Sequence, residues 1–257
     1  QSMKQGDFSQ LAKQYVNRPG YSETVLQVLG RYTGAFSKTP YLIADIGAGT
    51  GKLTEMLAKL ELPVVAVEPN DEMRAEGQRY TERYSLEWLK GSGEDTGLQE
   101  SSVNWLLMAS SFHWVDLEKG LTEFRRVLRP GGFFTALWNP RDLGRSKLHT
   151  KIEARIHEMV PLLKRVSSGS GKYTEGLNEK LVSTGHFEDC VFVEAEHEVV
   201  MSKERYLGAW RSVNDIQAQA GPEKFEEIMA AIEQEIEHLE EVVVPYKTRA
   251  WTVRRLE

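Results

Sequence analysis

Cysteine is nearly absent, with Cys190 alone among 257 residues. No intramolecular disulfide can form, and a thiol-rich zinc site is excluded. The reducing cytoplasm is the expected setting. Long apolar runs are missing as well. None approaches the ~20 residues that a spanning helix requires, and the opening QSMKQGDFSQ lacks the apolar core of a secretory leader. Met3, behind Gln1 and Ser2, reads as the natural start. There is no excess of positive charge: 32 Lys and Arg stand against 38 Asp and Glu, a formal balance of -6. That balance argues against a non-specific nucleic-acid binder. The chain is long enough to bury about 70–75% of its unfolded surface without a metal or disulfide. Its length suits one large domain, or one domain with an inserted cap.

The first half alternates strand and helix. Ser22 can cap a helix carrying Val25, Leu26, Leu29, Tyr32 and Phe36 on one face, ended by Lys38-Thr39-Pro40. Short apolar runs follow at 41–46, 64–67, 86–88, 103–109 and 133–138, separated by helical periodicity. Continuous apolar runs fit strands buried on both faces. Their alternation with helices is the signature of an open α/β sheet, and right-handed crossovers would bring the strand-end loops to one rim. Beyond Trp138 the rhythm changes. A helix is expected over about 146–163, a Gly/Ser-rich hinge over 167–171, a strand near 191–200, an amphipathic helix from Pro222, and a last strand around Trp251. The expected plan is a single domain, 1–257. It has an N-terminal helical segment (1–37), a core (38–140), cap segments (141–185 and 202–241) and C-terminal strands (190–200 and 246–256).

The strongest local signal is Asp45-Ile46-Gly47-Ala48-Gly49-Thr50-Gly51, lying between an apolar strand and a helix. Glycines let the chain turn tightly and admit a ligand where a Cβ would obstruct it, and the helix start offers free N–H groups. Glu68 stands at the next strand end, 23 residues after Asp45. An acid there can accept both hydroxyl hydrogens of a ribose. A Walker loop is excluded, because Lys52 is followed by Leu53 and Ile46 stands where the first glycine is required. The dinucleotide fingerprint also fails, since Lys52 occupies its third glycine position.

With Val67-Glu68-Pro69-Asn70, Gly91-Ser92-Gly93-Glu94-Asp95 and Leu128-Arg129-Pro130-Gly131-Gly132 added, the chain resembles the class I S-adenosylmethionine-dependent methyltransferases of the type 11 group over about residues 40–140. The resemblance implies a Rossmann-like sheet of seven mostly parallel strands with a reversed last hairpin, helices on both faces, and a helical cap over the C-terminal strand edge. It implies that Asp45, Gly47, Ala48, Gly49 and Gly51 hold the methionyl end of S-adenosylmethionine, and that Glu68 binds the ribose. Asn70 and Met73 would border ribose and adenine. Ser92, Gly93 and Glu94 would meet the adenine edge, and Ala109 and Ser110 would lie beside the methyl group. Tyr15, Arg18, Pro19 and Tyr21 resemble an opening segment that folds over this cofactor, where Arg18 could pair with the methionyl carboxylate. Tyr15 and Tyr21 could equally be packing aromatics. S-adenosylhomocysteine would be the product.

Methyl transfer from a sulfonium is an in-line displacement, so alignment and water exclusion are the main tasks, and alignment alone contributes up to roughly 7–11 kcal/mol. A carboxylate acceptor needs no base, whereas a hydroxyl or amine does. Phe112-His113-Trp114 follows the fourth strand and resembles small-molecule methyltransferases related to trans-aconitate methyltransferase. His113 could act as a base or orient the acceptor. Tyr21, Trp114, Trp138, Asn139, Arg155 and Trp210 are the further candidates for the acceptor side. Residues 141–172 carry eight Lys and Arg against three acids, a local balance of +5. That segment could attract an anionic acceptor, or pair with the Glu-rich helix after Pro222. No metal site is expected, because the histidines lack ligand spacing. The leading expectation is methylation of a small acceptor at a carboxylate or hydroxyl oxygen. Methylation of RNA or protein, and a non-catalytic cofactor-binding regulator, are the alternatives. No membrane partner is expected, and the charge balance disfavours nucleic acid; monomer and homodimer both stay open.

Overall fold

A computed structural model describes residues 19–165 and 171–257. Helix α1 (Glu23–Thr33) begins where the Ser22 hydroxyl accepts the Val25 N–H. It stops at Gly34, which adopts the left-handed conformation with φ 87°. The helix therefore ends before Phe36 and the expected Lys38-Thr39-Pro40 stop, because the glycine closes it first. The chain continues through β1 (Ile43–Ile46), α2 (Lys52–Lys59), β2 (Val64–Val67), α3 (Asp71–Tyr80), β3 (Glu87–Leu89), β4 (Val103–Ala109), α4 (Leu117–Val127) and β5 (Leu128–Trp138). The order across the sheet is β3-β2-β1-β4-β5-β7-β6, with β1 to β5 parallel and β7 antiparallel to both neighbours. This is the expected seven-stranded Rossmann-like sheet.

Alternation along the strands divides the core in two. Ala44, Ile46, Leu106 and Phe134 pack with Leu121, Phe124 and Val127 of α4 and with Leu177 and Leu181 of α6 (Leu177–Val182). On the opposite face Ile43, Trp105 and Leu107 pack with Val25, Leu26 and Leu29 of α1 and Leu53 and Leu57 of α2. A fully buried side chain of this size stabilises by about 1.5–3 kcal/mol. Two well-packed faces therefore fix the sheet as a rigid base for its loops.

The C-terminal hairpin is longer than its sequence signal. Strands β6 (Phe187–Ser202) and β7 (Glu241–Arg255) pair from Phe187↔Arg255 to Ser202↔Glu241. Strand β5 contacts β7 only from Phe133↔Arg254 to Trp138↔Arg249. The remaining half of the hairpin overhangs the rim and carries α7 (Lys203–Arg211), α8 (Asn214–Ala220) and α9 (Pro222–Ile236). Ile152 and Ile156 of α5 (Lys147–Met159) join Met201, Trp210, Ile228, Ile232 and Val244 in a third core. The cap thus has its own interior. Among the described residues no helix is long and apolar enough to cross a membrane.

Candidate functional site

The rim gathers the loops after β1, β2, β3 and β4. Gly47, Gly49 and Gly51 all take positive φ, at 67°, 58° and 88°. A Cβ on Gly47 would stand 2.7 Å from Ser111 Oγ, whereas one on Gly49 would meet nothing within 4 Å. The turn is therefore packed underneath and open at its middle. Helix α2 starts behind Gly51 with no side-chain cap, leaving N–H groups available to a ligand. Gly47→Ala should lower the melting temperature by several degrees and weaken cofactor binding, since it combines a left-handed backbone with a close contact; thermal melting and calorimetry check this.

Asp45 lies beneath the turn, 1% exposed. Its Oδ2 accepts the Thr54 hydroxyl at 2.6 Å, and its Oδ1 has no partner among the described residues. Burial, with the nearby Glu68 charge adding to it and the Thr54 bond opposing it, raises this carboxyl to about pKa 7. Glu68 is also buried, and desolvation raises its pKa against the opposing backbone bonds. Its Oε1 accepts Gly49 N–H at 2.9 Å and its Oε2 accepts Asn70 N–H at 2.8 Å. A carboxylate offers about four acceptor positions, so Glu68 braces the turn and retains capacity for two ribose hydroxyls. Asn70 caps α3 by accepting the N–H of Met73, whose side chain is buried.

The third loop closes the rim. Gly93 is needed for close packing, because a Cβ there would stand 2.7 Å from Val115 Cγ2. Glu94 accepts Asp116 N–H at 2.8 Å, tying the 91–95 loop to the segment after β4. Ser92 receives the Asp95 N–H at 3.3 Å. Ala109 ends β4, and Ser110 follows in a left-handed conformation with φ 56°. Its hydroxyl lies 2.9 Å from the Tyr21 hydroxyl. Tyr21 is thereby brought to the rim, and its chain is tied down by Ser22 N–H to Thr248 (2.8 Å) and Asn139 Nδ2 to Gly20 O (3.0 Å). Tyr15 and Arg18 lie outside the described residues, as does most of the expected 167–171 hinge.

His113 occupies a short helical turn, Phe112–Trp114. Trp138 Nε1–H donates to its Nδ1 at 3.2 Å, and Tyr173 stacks on its ring at 4.2 Å. Trp114 stands beside it, with ring centroids 4.9 Å apart. Desolvation lowers the imidazole to about pKa 4. The Trp138 bond needs a lone pair on Nδ1, so the neutral ring carries its proton on Nε2. In this state the free edge of His113 is a donor. Tyr173, in the single helical turn Gly171–Thr174, had no motif to announce it, because its importance is a contact across 60 residues.

Four expected acceptor-side placements are corrected. Trp138 is fully buried, edge-on to Trp251, and acts through His113. Asn139 is a fastener: its Oδ1 accepts the Thr248 hydroxyl at 2.8 Å and lies 2.8 Å from His197 Nε2. Trp210 belongs to the cap interior, under the guanidinium of Arg141 at 4.3 Å. Arg155 is turned to α9, bonding Glu235 at 2.8 Å and Gln234 at 2.7 Å. The basic segment is largely neutralised in the same way, with Arg141 and Arg165 on Glu153, Arg145 on Asp142 and Lys151 on Glu235. Pairing with the Glu-rich helix accounts for Lys151 and Arg155, because α5 and α9 share one apolar core that brings their charged edges together.

Residues 44–136 match the methyltransferase domain family. An uncharacterized methyltransferase of Mycobacterium tuberculosis is 43% identical over 100 residues, 39% of this chain and 40% of that relative. The chain thus matches about two fifths of the length of such curated relatives. A candidate type II methyltransferase from Anaeromyxobacter dehalogenans superposes with TM-score 0.62 at 22% identity, covering 93% of this chain and 98% of that one. The phosphoethanolamine N-methyltransferase 2 of Haemonchus contortus, solved with phosphomonomethylethanolamine and S-adenosylhomocysteine, superposes with TM-score 0.54 at 14% identity, covering 96% of this chain and 56% of that one. These likenesses establish the fold. The residues present fit S-adenosylmethionine on their own chemistry: a buried carboxylate whose Oδ1 has no partner among the described residues suits its ammonium, and two acids around an open glycine turn suit a ligand of net positive charge.

Proposed function

We propose that the protein is an S-adenosylmethionine-dependent methyltransferase acting on a small molecule, at a hydroxyl or carboxylate oxygen. The observation that carries this reading is the Oδ1 of buried Asp45, without a partner among the described residues, beneath the open glycine turn. A buried anion without a cation is costly unless a ligand supplies one. When bound, the cofactor supplies an electrophilic methyl group. Asp45 would hold the ammonium, Glu68 the ribose, and the rim at Ala109 and Ser110 the reacting end.

The overhanging cap and the Phe112–Trp114 resemblance to trans-aconitate-type enzymes support a small acceptor. The internal pairing of the cap cations withdraws charge attraction as support for an anionic one. His113 then orients the acceptor by donating from Nε2, while Tyr21, Trp114 and Tyr173 exclude water. With its pKa lowered by burial to about 4, His113 stays neutral from about pH 5 upward and is a poor base near neutrality. It therefore suits a carboxylate oxygen that is already ionised, and a hydroxyl acceptor would give its proton to a base in solution before transfer.

The test is a screen of small acids, phenols, amines and RNA with isotopically labelled methyl donor, reading S-adenosylhomocysteine and product mass. Turnover on RNA alone would overturn the small-molecule reading; binding without turnover across all arms would favour a regulator. With the acceptor found, kcat at saturating cofactor should show no limb between about pH 6 and 9 that His113→Asn removes. His113→Asn, which keeps a donor, should retain activity within about tenfold, and His113→Ala should lose about ten- to a hundredfold. Equal loss in both variants, with a limb near pH 6–7 in the wild type, would restore the general-base reading.

A further inference from the structure

Ser111 has a buried hydroxyl that no other described residue uses. It occupies the first position before the Phe112–Trp114 turn, yet its side chain makes no capping bond. Its carbonyl accepts the Trp114 N–H at 3.0 Å, but its Oγ has no partner among the described residues. A buried polar atom left unpaired costs about 1–3 kcal/mol, and such an atom requires a reason. Its location supplies one. The left-handed Ser110 turns the chain at the end of β4, placing Ser111 Oγ directly under the glycine turn, 2.7 Å from where a Gly47 side chain would begin.

Among the described residues the other unpartnered atom at this edge of the sheet is Asp45 Oδ1, two residues before the same glycine. The two are chemically complementary. Ionised Asp45 can only accept, whereas a serine hydroxyl can donate. An α-amino acid presents an ammonium and a carboxylate on one carbon, matching an unpartnered acceptor on Asp45 and an unpartnered donor on Ser111 against Gly47. We infer that Ser111 is a cofactor-binding residue whose hydroxyl donates to the methionyl carboxylate of the methyl donor, while Asp45 takes the ammonium. This rests on the cofactor reading above and deepens it: the pair recognises the amino-acid end as a zwitterion, separately from the nucleoside end held by Glu68.

Ligand truncation separates the parts. Calorimetric affinities would be measured on the wild type, Ser111→Ala and Asp45→Asn. The ligands are S-adenosylhomocysteine, its decarboxylated analogue S-adenosyl-3-thiopropylamine, and 5′-methylthioadenosine, which lacks both charged groups. Ser111→Ala should weaken S-adenosylhomocysteine by about ten- to a hundredfold, the range of a hydrogen bond to a charged group. It should leave the other two ligands unchanged. Asp45→Asn should weaken the first two and spare the third. An equal effect of Ser111→Ala on all three ligands, or none on S-adenosylhomocysteine, overturns the assignment. Thermal melting of the ligand-free variants guards against a folding defect, since Ser111→Ala should melt at or slightly above the wild type. If the wild type binds none of the three, the cofactor reading fails with it. If the wild type binds them and only the Ser111 pattern is missing, the cofactor reading stands alone.

Discussion

Asp45→Asn is expected to weaken S-adenosylhomocysteine at least a hundredfold at pH 8 and, in the same buffer, to make the ligand-free protein more stable. Both effects have one cause. Asp45 is raised from 3.8 to about 7 chiefly by desolvation. In the unfolded chain the carboxyl ionises near its ordinary value, whereas in the folded protein it holds its proton to about pH 7. A folded pKa above the unfolded one means that stability is greatest below the unfolded value and is lost as pH rises through the folded value. At about 1.36 kcal/mol for each pH unit separating the two values, the ligand-free fold forgoes roughly 4 kcal/mol above pH 7 as an upper figure. Asparagine can still accept the Thr54 hydroxyl and has no charge to desolvate. The stability difference between variant and wild type should therefore shrink by about 1.4 kcal/mol for each unit the pH is lowered from 7 toward 4. Denaturant titrations across that range measure it.

The same titration governs binding. The ammonium pairs only with ionised Asp45, so wild-type affinity should fall about tenfold per unit below pH 7. Complex formation near neutrality should release a proton, visible as a calorimetric heat that depends on buffer ionisation. An Asp45→Asn variant that melts lower than the wild type at every pH would show that the carboxylate has a structural partner, and would remove the main support for the cofactor reading.

Much of this site is legible in the sequence because its geometry is local. The turn at 47–51 needs left-handed backbone at three positions, and glycine stands at each. Asp45 and Glu68 end adjacent parallel strands, where Ile46 pairs with Val67, so strand pattern alone brings them together. The signal weakens where contacts cross the chain. Trp138 lies at a strand end and reads as a rim residue, but its side chain enters the α4 and α6 face because of strand alternation. Asn139 lies one residue beyond it and fastens the segment carrying Tyr21, through Gly20, to the hairpin, through Thr248. Nothing near Asn139 announces partners at such separations. Ser111 follows Ser110 closely enough to invite suspicion, but only the packing under Gly47 distinguishes it. The full length of the hairpin is hidden because its overhanging half reads as mixed polar and apolar residues such as Glu196, His197 and Glu198. Its continuity comes from pairing with β7.

Glu153→Ala should damage the cap, lowering stability by about 2–4 kcal/mol and the melting temperature by about 5–10 °C. Glu153 accepts from Arg141 at 2.9 Å and from Arg165 at 2.5 and 2.6 Å. Arg165 also reaches Asp215 at 3.2 Å. Both guanidinium groups lie over the Trp210 ring, at 4.3 and 5.4 Å. The three ionic side chains are only 18–24% exposed, so screening reduces the effect below that of a fully buried pair without abolishing it. Removing the carboxylate leaves two like charges against one aromatic ring. The double variant Glu153→Ala/Arg165→Met should recover at least half the loss, because it removes the repulsion and retains apolar cover over Trp210. Sulfate should stabilise the single variant more than the wild type by replacing the missing anion. If Glu153→Ala melts unchanged and sulfate stabilises both proteins equally, the cap arginines are already open to external anions. An anionic acceptor would then regain the electrostatic support that internal pairing withdraws from it.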